Sequence, residues 1–306
     1  MASSPLPVPG KRFVIGVPYA WLIVFFFLPF LILLYISFVD MGGDISPFKP
    51  LWDPDTGVLR LKYENYLSIF RESEGAPLFK TLYVDAYLRS IWYALCTALL
   101  CLVIGYPFAY FIARSPASVR PALLLMVMLP FWTSFLLRVY AWKGILADEG
   151  VLNRMLMAVG LLSEPLHMLY TNTSMLIGMT YVYLPFMVLP LYANLVKMDF
   201  RLLEAAYDLG ATPFKAFWLV TVPLSKAGII AGFMLVFIPA VGEFVIPELV
   251  GTPESLMIGK VLWMEFFDNN NWPMAAAVTT TMLALLIAPI VYLHRREEKA
   301  LARAQR

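Results

Sequence analysis

Long apolar runs alternate with polar connections along the 306-residue chain. Six of these runs approach the roughly 20 residues that a helix needs to cross the hydrocarbon core of a bilayer. They lie near 14–39, 88–113, 121–142, 174–194, 226–248 and 273–293. The pattern predicts an all-α polytopic membrane protein with about six transmembrane helices. No connection is long enough to bury a core of its own, so residues 1–306 are expected to form a single transmembrane domain with loops. The first run follows Lys11 and Arg12, as the apolar part of a signal peptide would, but it is too long for one and no A-x-A site follows. A retained helix is therefore expected.

Weaker periodicity marks two of the connections. In RLKYENYLSIF (60–70), Leu61, Tyr66, Leu67 and Phe70 form a rough apolar stripe; in GVLNRMLMAVGLL (150–162), Val151, Leu152, Met155, Leu156 and Val159 recur at helical spacing. Each predicts a short interfacial helix that lies on the membrane or receives a partner. Gly228 and Gly232 form a GxxxG pair at the start of the fifth run, a spacing that lets helices approach closely.

Positive loops stay in the cytoplasm, which orients the chain. Residues 1–13, 114–120, 195–226 and 294–306 carry 13 basic and 5 acidic residues, a net of +8. The loops 40–90, 143–173 and 249–272 carry 9 basic and 14 acidic residues, a net of −5. Both termini are therefore expected in the cytoplasm, beneath an acidic outer face. Such a face concentrates cations by electrostatic focusing, or is a by-product of topology.

Composition agrees with the pattern. Hydrophobic residues make up 60% of the chain and charged residues 14%, against about 25% charge in an ordinary soluble domain. Mean hydropathy is +0.73. Cys96 and Cys101 stand five apart in one run and read as apolar fillers, while His167 and His294 leave little material for metal or histidine chemistry. There is no phosphate loop, HExxH, CxxC or GxSxG motif. A membrane enzyme is poorly supported, no metal site or nucleic-acid partner is expected, and any work must draw on an ion gradient or a partner.

The longest inner connection, 195–225, has internal order. In VKMDFRLLEAAYDLGATPFKAFWLVTVPLSKAG (196–228), Asp199 can cap a first helix whose apolar face is Leu202, Leu203, Ala205 and Ala206. Gly210 suits its left-handed end, Thr212 caps a second helix that starts at Pro213, and Pro223 marks the approach to the fifth run. Glu204-Ala205-Ala206, three residues, Gly210, nine residues, then Val220-Thr221-Val222-Pro223 resembles the EAA loop of ABC-importer permeases, with valines in place of its Ile and Leu. The resemblance implies that Glu204, Ala205, Ala206 and Gly210 belong to a coupling helix that docks on a separate ATP-binding subunit. An unrelated helical hairpin is the bland alternative.

FIPAVGEFVIPELVGTPESLMIGKVLWMEFFDNNNWPMAAAV (237–278) resembles the polyamine branch of these permeases, putrescine carriers first. The resemblance implies a second related permease, two copies of an ATPase that holds ATP and magnesium, and a periplasmic polyamine-binding protein. It implies no cofactor in this chain and residence in the bacterial inner membrane. Candidate carboxylates for a di- or tri-ammonium cargo are Glu243, Glu248, Glu265 and Asp268. Candidate aromatic faces are Trp132, Tyr140, Tyr183, Trp263 and Trp272. Another cargo in the same class, and a gradient-driven transporter, are the competing readings.

Counted from Lys226 at about 1.5 Å per residue, Glu243 lies roughly 25 Å along the fifth run, where an ionised group needs a cavity or a partner. It either lines a path or pairs with Arg138, the one basic residue deep enough to neutralise it. Pro239, Gly242 and Pro247 predict that the helix unwinds around Glu243.

Overall fold

The computed structural model describes residues 11–43, 46–52, 57–71, 78–79 and 81–304. The side chains that set the expected placement of the termini, Lys11 and Arg12 at one end and Arg295 to Arg306 at the other, lie outside the described set. Among the described residues there are helices and no strand, only two isolated bridges, Met41 with Phe48 and Trp52 with Leu59. The chain forms two compact units: one from residues up to Val84 and from Leu262 onward, the other from Asp85–Val261.

In the first unit, α1 (Lys11–Leu22), a π-turn (Ile23–Phe27) and α2 (Leu28–Ser37) run on as one apolar rod, most of whose side chains are exposed. The short α3 (Glu64–Phe70) is pinned to the end of that rod. Asn65 Nδ2 donates to the carbonyls of Ser37 and Val39, and the hydroxyls of Tyr66 and Ser37 lie 2.7 Å apart. The connection from 60 to 70 thus contains the helix that its periodicity predicts.

The second unit begins in α4 (Leu82–Arg114), which at 33 residues is the longest helix of this unit. The expected run over 121–142 is not one helix. It divides into α5 (Arg120–Met128), a 3-10 turn (Leu129–Trp132) and α6 (Phe135–Leu146), with an 89° bend at the break. Pro130 has no amide hydrogen for the helix ladder, and Thr133 is extended with its hydroxyl turned back onto the Pro130 carbonyl. Mean hydropathy is blind to such a break because the apolar sequence continues through it. The helix α7 (Val151–Ala158) follows, where the stripe predicts it.

Next comes α8 (Asn172–Leu195), started by a capping box in which Thr171 and Ser174 exchange side-chain and backbone hydrogen bonds. The inner connection folds as α9 (Arg201–Asp208), α10 (Pro213–Ala216), a π-turn (Phe217–Thr221) and α11 (Val222–Leu224). It leads at a 68° bend into α12 (Lys226–Val241). There the GxxxG pair does what its spacing predicts: a Cβ on Gly228 would sit 2.7 Å from Asn194 Cβ, and one on Gly232 2.7 Å from Met187 Sδ. The two glycines let α12 lie directly against the backbone of α8.

After α12, α13 (Val245–Val250) and α14 (Ile258–Trp263) are short. Back in the first unit, α15 (Trp272–Ala304) packs on α2 and α3. Its threonine triplet, Thr279 to Thr281, donates all three hydroxyls to carbonyls four residues back, which removes their polarity from an apolar helix. Among the described residues, Phe13–Ser37, Leu82–Arg114 and Asn172–Leu195 are long and apolar enough to cross a membrane, and each bent pair adds one crossing if taken together. The last expected run corresponds to the apolar part of α15, Trp272–Ala288.

Candidate functional site

The fifth run unwinds where its prolines and glycine predict: Gly242, Glu243 and Phe244 are not helical. Glu243 organises the break. Its Oε1 accepts the amides of Phe244, Val245 and Ile246 at 3.1, 3.0 and 3.3 Å, so the carboxylate caps α13. Its Oε2 accepts the hydroxyl of Tyr183, a buried residue of α8, at 2.7 Å. The alternative ion pair with Arg138 does not form. The Arg138 guanidinium instead lies 5.0 Å from the ring centre of Phe131 and 5.9 Å from that of Phe135. Three neighbouring amides and the Tyr183 hydroxyl from α8 hold Glu243, so the pair with Arg138, one of the two readings left open, is not the one that forms.

The break is also braced from outside. A Cβ on Gly259, in α14, would collide with the carbonyl of Gly242 and lie 3.1 Å from that of Glu243. Ser90 of α4 accepts the Ile258 amide at 2.8 Å, which fixes the start of α14. Neither residue stands out in the sequence, because both act on backbone far away along the chain.

The other candidates separate into paired and open groups. Glu248 is exposed and makes a 3.0 Å ion pair with Lys260 at an open pocket of about 490 Å³, whose wall includes Tyr170, Thr252 and Ser255. Trp132 and Tyr140 are exposed, the former at 76%. The first unit contains Trp263, the last residue of α14, and Glu265 and Asp268 on the π-turn that follows, Met264–Asp268. There Glu265 is buried and accepts the Tyr83 hydroxyl at 2.8 Å, Asp268 is exposed, and the Trp263 ring lies 4.2 Å from that of Phe267. Among the candidates, Tyr183 and Glu243 are hydrogen-bonded to each other. Among the described residues there is no group of three or more metal-ligating side chains.

The inner connection is a helix, a glycine turn and a second helix. Asp199 Oδ1 accepts the Arg201 amide at 3.0 Å and Thr212 Oγ1 accepts the Lys215 amide at 3.4 Å, as their positions predict. Gly210 has φ +82°, the left-handed conformation that glycine adopts without strain. On α9, Leu203 is buried, while Glu204 and Ala205 are exposed and Ala206 is half-buried. The turn presents large apolar groups outward: Leu209 is 89% exposed and Phe214 73%. At the far end, the buried Ser225 hydroxyl meets that of Tyr106 at 2.8 Å, a contact with no signal in the sequence.

Comparisons with known proteins agree with this architecture. A family described as the binding-protein-dependent transport system inner membrane component matches residues 104–296. The chain is 38% identical over 293 residues to the spermidine/putrescine transport system permease protein PotB of Haemophilus influenzae, covering 96% of each chain. It is 39% identical over 266 residues to PotB of Escherichia coli, covering 87% of this chain and 90% of that one. In fold, it matches a chain in the crystal structure of a bacterial ABC transporter involved in import of the acidic polysaccharide alginate. The TM-score is 0.61 at 16% identity, covering 94% of this chain and 96% of the other. An all-α chain whose inner elbow and broken fifth run are built as described, and whose sequence matches over this length, belongs to the binding-protein-dependent transport system inner membrane components.

Proposed function

We propose that this chain is one of two related permeases in an ATP-driven importer that carries a polyamine, putrescine preferred, from the periplasm to the cytoplasm. The observation that carries the cargo is the 38% identity, over nearly the whole chain, to a spermidine/putrescine permease. The acidic outer loops and the carboxylates Glu243, Glu248, Glu265 and Asp268 are of the right charge for such a cargo. Glu243 keeps one lone pair of Oε2 beyond its four bonds, enough for an ammonium end.

Coupling runs through the inner connection. Glu204, Ala205, Ala206 and Gly210 present α9 to a cleft on an ATPase that binds ATP and magnesium, with Leu209 and Phe214 as apolar contacts. Two ATPase copies lie on the cytoplasmic side, where both termini of this chain also lie. A periplasmic polyamine-binding protein docks on the outer side near α7, where Asp148 is held by His167 at 2.9 Å.

The test is reconstitution of the chain with its second permease, ATPase and receptor in vesicles. Putrescine-loaded receptor should stimulate hydrolysis and uptake more than spermidine-loaded receptor. Equal stimulation removes the preference, stimulation by neither removes the cargo, and uptake that survives without the ATPase makes the chain a secondary transporter.

A further inference from the structure

Arg138 is the unresolved charge of the second unit. Its Nε and Nη1 are out of reach of solvent, and neither has a hydrogen-bond partner among the described residues. Two phenylalanine rings receive the guanidinium face, but ring faces leave its edge donors unmet. Arg138 as a whole is half-buried, yet two buried guanidinium nitrogens without an acceptor are a costly arrangement for a fold to retain.

Its depth sharpens the problem. With Arg120 at the inner boundary, α5 and the 3-10 turn rise by about 20 Å. The 89° bend then turns α6 sideways, so Arg138 stays near that depth instead of climbing to the outer surface. With α5 along the membrane normal, that depth falls inside a hydrocarbon layer about 30 Å thick. Beside it, Trp132, Leu136, Leu137 and Tyr140 are exposed. Hydrocarbon could cover those four side chains but offers the guanidinium no acceptor.

We infer that Arg138 is met by a carboxylate of the second permease, which covers this face of α6 in the assembled importer. Charge selects the occupant: the site needs an anionic acceptor within the apolar layer, and an acidic side chain of a facing helix supplies one. The inference rests on the two-permease reading above and adds the surface and the contact by which the two chains recognise each other. An ion pair that satisfies donors on one side and a deep carboxylate on the other also specifies register, since either chain alone keeps an uncompensated charge.

The test uses the complete importer. The wild-type complex is first checked for a second permease chain, and absence of that chain overturns the importer reading itself. With that chain present, Arg138→Glu should reduce co-purified second permease and uptake by about tenfold or more. One acidic-to-arginine change among the membrane-embedded positions of the second permease should restore both to within about threefold. Failure of every such change to rescue overturns the inference. Should Arg138→Glu not accumulate, Arg138→Met and Arg138→Lys decide: the first must lose the second chain while the second keeps part of it, and equal behaviour overturns the pair. A loss in Arg138→Met that appears in vesicles with phosphatidylglycerol but not in pure phosphatidylcholine, whose phosphate is balanced by choline, identifies an anionic lipid headgroup as the acceptor and overturns it as well.

Discussion

The Tyr183 hydroxyl donates to Glu243 Oε2 at 2.7 Å across 60 residues of sequence, tying α8 to the break between α12 and α13. Tyr183→Phe removes that donor and leaves one oxygen of a half-buried carboxylate with less solvation than it had. The expected cost is about 1–3 kcal/mol, read as a lower melting temperature of the purified complex. An unchanged melting temperature shows that water replaces the hydroxyl at no cost.

Glu243 itself separates two roles. Glu243→Ala strips the acceptor from three amides at the start of α13 and should destabilise the complex by about 1–3 kcal/mol. Glu243→Gln keeps a carbonyl oxygen for those amides, so the fold should survive with a loss of roughly 0.3–1 kcal/mol from the missing charge. Polyamine uptake should nevertheless fall in Glu243→Gln if the carboxylate meets the cargo. Normal uptake by a folded Gln variant confines Glu243 to capping.

At Gly210 the backbone and not the space sets the cost, because a Cβ there meets nothing within 4 Å. Gly210→Val should destabilise the turn by about 1–2 kcal/mol, the price of left-handed φ for a side chain. Gly210→Asn should cost less. Both are measured by ATPase retention on the purified complex, and equal retention in the two variants removes the strained turn as the cause.

Gly259→Ala should be among the harsher single methyl insertions in the second unit, because its neighbour is the rigid backbone at Gly242 and Glu243. Overpacking of this kind costs about 1–3 kcal/mol or more. Gly16→Ala, inside α1 where a Cβ meets nothing within 4 Å, serves as the control and should leave melting unchanged or slightly raised. Comparable effects in the two variants indicate that α14 can shift aside.

The acidic residues Glu248 and Glu265 should behave differently. Glu248 is exposed, so Glu248→Gln breaks its pair with Lys260 at a cost of about 0–1 kcal/mol. Glu265→Ala removes the acceptor of the Tyr83 hydroxyl in a buried position and should cost about 1–3 kcal/mol. Thermal melting of the two variants in the same preparation orders them, and a larger loss at Glu248 reverses this reading.

Local features of this protein were legible where their causes are local. The GxxxG contact of α12, the unwinding beside Pro239, Gly242 and Pro247, and the caps at Asp199 and Thr212 each depend on residues a few positions apart. Helix α7 was legible for the same reason. The division of 121–142 was not, because apolar character persists through Pro130 while the backbone turns. Nor were the Tyr183, Ser90 and Gly259 contacts, which join segments far apart in sequence. The alternative of an Arg138–Glu243 pair was drawn from depth alone, and depth says nothing about the three amides that reach Glu243 first. The roles of the candidate carboxylates in transport rest on chemistry that neither periodicity nor packing encodes.

The 68° bend at Ser225 turns the inner elbow into a bell crank. One arm, Pro213–Leu224, is about 18 Å long, and the other, Lys226–Val241, about 24 Å. The pivot is buried and bolted to α4 by the Tyr106 hydroxyl. If the arms are stiff, a rotation about Ser225 displaces the Gly242 end about one-third farther than the Pro213 end, and a 10° turn moves it roughly 4 Å. A small push at the Pro213 end would then reach Glu243 amplified, without any helix having to change its length.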